Sequence, residues 1–244
     1  MDAPEFLLLA AVGAVAGFVN VMAGGGSLLT MPTMIFLGMD PATANGTNRV
    51  ALVAQNAASV AQFARHGFSD ARLSLTLGMA TIPGAIAGAV VAIRIDPEVF
   101  KTLLAAVMVV VLVLTLRGSP SAAAVRTSHP GWAHAGMILV GFYGGFIQAG
   151  VGFLFMAIAR GLLALDLVRV NMHKVFVIGM YMLPSLLVFA TTGDVVWLAG
   201  GCLAVGNVIG AVIATRTQIR GGEKVVRIVL AVAVAAMAIK LVLS

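Results

Sequence analysis

Residues 44–48 (ANGTN) recur as residues 170–174 (VNMHK), at an offset of 126 positions (171 − 45). A longer pair agrees more closely, because residues 84–94 (GAIAGAVVAIR) reappear as residues 206–216 (GNVIGAVIATR), with both glycines and the closing arginine kept. Self-similarity of this kind indicates two copies of one structural unit. In membrane proteins built from such repeats, the binding site lies between the copies.

The composition is that of an integral membrane protein. Hydrophobic residues make up 61% of the chain and charged residues 10%, with a mean hydropathy of +1.07, whereas soluble domains are about 45–50% apolar and about 25% charged. The sequence predicts a single transmembrane domain, residues 1–244, with one repeat in 1–117, a connector in 118–132 and a second repeat in 133–244. The net charge of +6 is not concentrated in a dense basic run, which argues against nucleic acid as a partner and is typical of basic cytoplasmic loops.

Each repeat contains five apolar segments. They are residues 4–23, 27–38, 46–64, 73–93 and 99–116, and then 133–148, 152–164, 171–190, 194–215 and 225–243. The second segment of each repeat, at about 12 residues, is too short to cross about 30 Å of hydrocarbon as a helix. We therefore expect an all-α polytopic protein with eight to ten crossings, in which the short segments are half-helices of broken helices.

The basic residues predict that the second repeat is inverted. The loop between the third and fourth segments is basic in the first repeat (65–72) and carries only an aspartate in the second (191–197). The next loop reverses this bias, since it is balanced at 94–101 and basic at 216–227. Basic loops stay cytoplasmic, so equivalent loops lie on opposite faces. If the connector with Arg126 is cytoplasmic, both termini lie on the outer side of the membrane.

Two glycine clusters interrupt the apolar segments, AGGGS at 23–27 and AGVG at 149–152. Each glycine costs about 1 kcal/mol in a helix interior, and unwound backbone inside a membrane is tolerated only where it is buried or lines a wet cavity. The functional interpretation is a broken helix whose free N–H groups face an anion. The alternative is close helix packing through small residues, which we favour for the glycines of the longer repeat pair.

Polar residues at membrane depth complete the candidate site, because such groups usually face a protein interior or a water-filled path. The candidate substrate-binding residues are Gly24, Gly25, Gly26, Ser27, Asn45, Thr47, Asn48, Arg49, Gln148, Gly150, Gly152, Asn171, His173 and Lys174. The polar clusters open the third segment of each repeat, where amides and hydroxyls would donate to an oxyanion. Two alternatives stay open: capping of a helix N-terminus by Asn45 and Thr47, and snorkelling of Lys174 to the interface.

No pattern in the sequence indicates an enzyme. There is no His-Glu-x-x-His motif and no pair of intramembrane aspartates, and the GGGS stretch at 24–27 lacks the lysine of a phosphate-binding loop. His173 has no second ligand at metal-binding spacing. We expect no catalytic residues, no cofactor and no metal.

The glycine clusters and their surroundings resemble the TauE/SafE sulfite-exporter family. The first signature is similar to residues 16–18, 23–27, 32, 37–39 and 44–48, and the second to residues 141–146 and 150–152. The resemblance implies an inner-membrane permease for small sulfur-containing anions such as sulfite and organosulfonates, with its glycine-rich signatures at Gly24, Gly25, Gly26, Gly150 and Gly152. This chain departs from the pattern at Gln148 and Val151, where more glycine is usual, and at His173, where a threonine is expected.

The residues and the resemblance together predict a secondary transporter of inverted-repeat type. A small sulfur-containing oxyanion would bind between the two broken helices, and the two halves would rock around it. A proton or sodium gradient, or the gradient of the substrate itself, would drive transport, since the chain has no nucleotide motif. An anion channel and a structural membrane partner without transport are the alternatives. The oligomeric state is not predicted.

Overall fold

The computed structural model describes residues 2–117, 129–163 and 165–219. Within these ranges the chain forms nine α-helices and no strands. They are α1 (Ala3–Ala23), α2 (Ser27–Phe36), α3 (Pro41–Arg65), α4 (Ala71–Ala92), α5 (Pro97–Arg117), α6 (Pro130–Phe146), α7 (Val151–Leu162), α8 (Leu167–Thr192) and α9 (Trp197–Ile219). This confirms the all-α prediction. The expected tenth segment, 225–243, and most of the connector lie outside the described residues.

Four described helices are long and apolar enough to cross a membrane, namely α1, α4, α8 and α9. The short segments are also confirmed, because α2 has 10 residues and α7 has 12, or about 15 and 18 Å of helix. Large apolar side chains cover the outer surface: Leu139 and Leu187 are each 66% exposed. Such a surface fits the hydrocarbon of a bilayer. The chain is a polytopic membrane protein.

The third helix of each repeat begins earlier than the sequence predicts. α3 begins at Pro41 and α8 at Leu167, where Asp40 and Asp166 accept hydrogen bonds from the backbone N–H groups of Ala42 and Arg169, both at 3.0 Å. The polar clusters thus lie in the second turn of each helix. Helix capping by Asn45 and Thr47 is therefore wrong.

The first helix of each repeat packs along the fourth helix of the other repeat. α1 lies on α9 and α4 lies on α6, and these are the most extensive helix contacts. A methyl group at Gly206 or Gly210 would overlap the backbone carbonyl of Ala10 or Ala14, and one at Gly88 would overlap that of Phe142. The prediction that the glycines of the longer repeat pair serve packing is confirmed.

Adjacent helices follow the order α1, α9, α3, α8, α4, α6. α2 packs against α1 and α3, and α7 packs in the corresponding way against α6 and α8. α5 covers α2 and the turn between α6 and α7 through Phe100, Leu104 and Met108. The centre of the molecule is therefore the contact between α3 and α8.

Contacts along the helices establish their relative directions. α1 and α9 are parallel, because Ala10 meets Gly206 and Phe18 meets Gly210. Thr81 meets Gly141 and Ala85 meets Gly145, so α4 and α6 are parallel as well.

The same reasoning applies to the central helices. α3 runs parallel to α9, with Thr47 on Val196 and Val50 on Gly200. α3 runs antiparallel to α8, where Gly46 meets Phe189 and Asn56 meets Gly179. α8 runs parallel to α4, with Ser74 on His173 and Ala85 on Ser185. Relative to α1, then, α3 and α9 run in the same direction, and α4, α6 and α8 run in the opposite direction.

Candidate functional site

The two glycine clusters meet in the interior. Gly24 ends α1 in a left-handed conformation (φ 84°), and Gly150 precedes α7 in the same conformation (φ 75°). A Cβ at Gly24 would collide with the Cα atom of Gly152, and a Cβ at Gly152 would collide with that of Gly24. Close backbone approach at these positions requires glycine. Residues 24–27 and 147–152 are all buried.

The half-helices α2 and α7 begin at this contact, with Gly26 and Gly150 as their N-caps and no side-chain capping hydrogen bond. The N–H groups of Gly25, Gly26, Ser27 and Gly152 have no acceptor within the described residues. A buried helix N-terminus without partners is unusual. Its free N–H groups and positive dipole end favour an anion.

Ser27 and Asn48 connect α2 to α3. The hydroxyl of Thr30 donates to Oδ1 of Asn48 at 2.7 Å, and Nδ2 of Asn48 donates to Oγ of Ser27 at 3.1 Å. Three buried side chains therefore satisfy each other beside the glycine break. Thr30 was absent from the sequence prediction, although it lies one helical turn after Ser27.

Arg49 and Asn45 bind the C-terminal end of α6. The guanidinium of Arg49 donates to the carbonyl oxygens of Gly144 at 3.3 Å and Gly145 at 2.5 Å, and Nδ2 of Asn45 donates to that of Phe146 at 2.7 Å. Oδ1 of Asn45 accepts from Arg49 at 3.2 Å, and the guanidinium lies 4.5 Å above the ring of Phe189. Arg49 is fully buried.

Lys174 makes the corresponding contact at the end of α1. Its Nζ donates to the carbonyl oxygens of Asn20 at 3.1 Å and Val21 at 2.9 Å, and the residue is 1% exposed. Lys174 therefore does not snorkel to the interface, because the C-terminal end of a helix from the other repeat holds its ammonium group.

Neither buried cation has a carboxylate partner within the described residues. The salt bridges there join exposed pairs, Lys101 to Glu98 and Arg169 to Asp166. Nε of Arg49 makes no hydrogen bond in this part of the chain. A buried charge without a counter-charge is costly, so an anion bound near the glycine contact would offset this cost.

Gln148 lies at the turn between α6 and α7. It is the one non-glycine residue with positive φ (55°) in the described ranges, a conformation that costs about 1–2 kcal/mol. Its Nε2 donates to the carbonyl oxygen of Asn45 at 3.1 Å, whereas its buried Oε1 has no partner there. Tyr143, another residue that sequence reasoning missed, donates its hydroxyl to the carbonyl oxygen of Ala149 at 2.5 Å.

Three candidate residues make no hydrogen bond, within the described residues, to the glycine clusters or to the helix ends beside them. Oγ1 of Thr47 accepts from the backbone N–H of Val196 at 2.9 Å. His173 faces α4, with Nδ1 2.8 Å from Oγ of Ser74. Asn171 is fully buried one turn before Lys174, and both of its amide atoms lack a partner within the described residues. No sequence signal separated Asn171 from Asn45, because pairing across helices depends on the fold.

Comparisons with known proteins agree with this architecture. The chain is 27% identical over 240 residues to a probable membrane transporter protein of a Sinorhizobium species (ORF9), covering 97% of this chain and 91% of that protein. It is 27% identical over 237 residues to the probable membrane transporter protein YfcA of Escherichia coli K12, covering 94% and 87%. A probable membrane transporter protein of Haemophilus influenzae is 25% identical over 223 residues, with 90% and 88% covered.

The family comparison covers nearly the whole sequence and includes both glycine breaks and both polar clusters. Because the sequence model of that family matches residues 9–241, the chain belongs to the sulfite exporter TauE/SafE family.

Proposed function

We propose that this protein is a secondary membrane transporter for a small sulfur-containing oxyanion, such as sulfite or an organosulfonate, and that it has no catalytic activity. The observation that carries the proposal is the contact of Gly24 with Gly152, which brings together the buried N-terminal ends of two half-helices. The family and the names of the relatives support transport as the activity.

The electrostatics of the site favour an anion over a cation. Each helix N-terminus is equivalent to about half a positive charge, and Arg49 and Lys174 add two buried cations. The described carboxylates nearest in sequence, Asp40 and Asp166, cap helices at the ends of the bundle. An oxyanion would accept hydrogen bonds from the free N–H groups and balance the buried charge.

The directions of the helices support the proposal that the repeats are inverted. Equivalent helices, α1 and α6, α3 and α8, and α4 and α9, run oppositely in the contacts described above. The exposed residues Arg65, Arg72 and Arg216 then fall on one face, which we assign to the cytoplasm. We place the N-terminus, and by the same pattern the C-terminus, outside an inner membrane.

The moving units differ from the two sequence repeats. Because α1 packs on α9 and α4 packs on α6, rocking one sequence half against the other would break the most extensive helix contacts among the described residues. We assign α1, α2, α3 and α9 to a first lobe and α4, α6, α7 and α8 to a second lobe. Alternating access would come from movement of these lobes at the contact between α3 and α8.

Flux into proteoliposomes tests the function. We expect saturable uptake of sulfite, a short sulfonate or thiosulfate that follows the imposed gradient and stops in the Gly24→Val protein. Flux that does not saturate would indicate the alternative, an anion channel. Absence of flux and of binding for every anion would leave the structural alternative and overturn the proposal.

A further inference from the structure

The hydrogen bonds of the carbonyl groups at the helix breaks indicate whether the site can bind a metal cation. In transporters with broken helices, the C-terminal ends of half-helices and the unwound carbonyls are the usual ligands of a coupling sodium ion. Here the same places are the C-terminal ends of α1 and α6, just before the glycine clusters. Whether their oxygens are free decides whether a sodium ion has ligands.

The break between α6 and α7 has no free carbonyl. Every backbone oxygen from residue 143 to residue 150 accepts a hydrogen bond from the protein. The side chains of Arg49 and Asn45 donate to the carbonyl oxygens of residues 144–146, and the hydroxyl of Tyr143 donates to that of Ala149. Backbone N–H groups donate to the carbonyl oxygens of residues 143, 147, 148 and 150. A metal ion would have to displace several of these donors at once.

At the break between α1 and α2, the charge of Lys174 opposes the binding of a metal cation. Lys174 holds the carbonyls of Asn20 and Val21, at the two residues that precede Met22. The carbonyls of residues 22–24 accept no hydrogen bond within the described residues, but a cation bound to them would lie beside the ammonium of Lys174. Like charges that lie close together repel strongly in a buried site.

We propose that Arg49 and Lys174 take the place of coupling sodium ions. Each is a cation fixed to one repeat that binds carbonyl groups of the other repeat where such an ion would bind, so that the oxyanion binds and moves without sodium. Both come from the third helix of one repeat and bind carbonyl groups in the last turn of the first helix of the other repeat. Both are positioning residues, because they hold the helix ends that aim the N-termini of α2 and α7. This inference rests on the proposed function.

The decisive measurement compares equal concentrations of sodium, potassium and choline chloride. Sulfite affinity and the melting temperature of the purified protein without sulfite are measured in each salt. We expect both values to be the same in the three salts. A sodium-specific rise in either value would overturn the inference, whereas absence of sulfite or sulfonate binding in every salt would instead overturn the proposed function.

Variants test the role of the two charges. Arg49→Gln and Lys174→Met remove the charge, and we expect sulfite affinity to fall by at least about tenfold, equivalent to about 1.4 kcal/mol. Arg49→Lys and Lys174→Arg keep the charge and should recover most of this loss. Lys101→Met removes an exposed cation and controls for net charge. Wild-type affinity in a monodisperse Arg49→Gln or Lys174→Met protein would contradict the inference. If these two fail to fold, a loss of sulfite affinity of about tenfold or more in Arg49→Lys and Lys174→Arg, which keep the charge, would do the same.

Discussion

Two glycines with nearly the same backbone conformation differ in what a side chain would meet. Gly24 (φ 84°) touches the backbone of Gly152, whereas a Cβ at Gly38 (φ 86°) would have no atom of the described part of the chain within 4 Å. We expect Gly38→Ala to lower the free energy of unfolding only by the cost of a left-handed alanine, about 1–2 kcal/mol, and to keep transport. Gly24→Ala should lose transport, because its methyl group separates the two breaks. Melting temperature and flux are the measurements, and equal effects of the two changes would contradict the site.

Asn45 and Asn171 are equivalent in the repeats but differ in their partners. Asn45→Ala removes hydrogen bonds to α6 and Arg49, so we expect a lower melting temperature. Asn171→Ala removes an amide without partners in the described residues, so stability should stay the same or rise. If Asn171 binds the anion, its loss should weaken affinity about 10- to 150-fold, from a charge-assisted hydrogen bond of about 1.5–3 kcal/mol.

The control for this comparison is the pair of variants itself. Calorimetric or fluorescence binding of sulfite is measured on both proteins beside the wild type. Asn171→Ala with wild-type affinity would remove Asn171 from the binding site, and Asn171→Ala that melts at the temperature of Asn45→Ala would show that its amide has a structural partner.

At the scale of helices, glycines decide how closely α4 and α6 approach. Gly88 lies against the backbone of Phe142, which cannot move aside as a flexible side chain would, whereas a Cβ at Gly201 in α9 would meet no atom of the described residues within 4 Å. We expect Gly88→Val to destabilise the protein by more than the roughly 1–3 kcal/mol typical of overpacking, and Gly201→Val to be neutral. Size-exclusion profiles and melting temperatures measure this, and a monodisperse, fully stable Gly88→Val protein would disprove the packing.

At the scale of the whole molecule, the two ends of the bundle can be assigned to the two sides of the membrane. Ser69 precedes α4 and Thr191 lies in the last turn of α8, and both are exposed. In a Cys202→Ser background, which removes the single cysteine, Ser69→Cys should react with impermeant maleimide from the cytoplasm and Thr191→Cys from outside. Labelling of both from one side would contradict inversion.

Cross-linking distinguishes lobes from sequence halves. A Cβ at Gly179 of α8 would lie 3.3 Å from Cβ of Asn56 in α3, close to the 3.5–4.5 Å of a disulfide. Oxidised Asn56→Cys/Gly179→Cys protein should lose transport and recover it on reduction, because the bond joins the two lobes. Val50→Cys/Gly200→Cys joins α3 to α9 within the first lobe, where a Cβ at Gly200 would lie 2.9 Å from Cβ of Val50. That bond links different sequence halves, so loss of transport there would favour movement of the halves.

Composition and repetition by themselves determined that this is an all-helical membrane protein with two glycine-broken half-helices, because apolar length and glycine content act locally. The starts of α3 and α8 were missed by several residues, because hydropathy does not detect the capping hydrogen bonds that Asp40 and Asp166 accept. Only the tertiary structure decided that Gly24 meets Gly152, that Lys174 is buried, and that Asn45 is paired while Asn171 is not. The reason is that Gly24, Lys174 and Asn45 contact backbone groups more than 100 positions away in the chain, which come within reach only once helices of opposite repeats have packed.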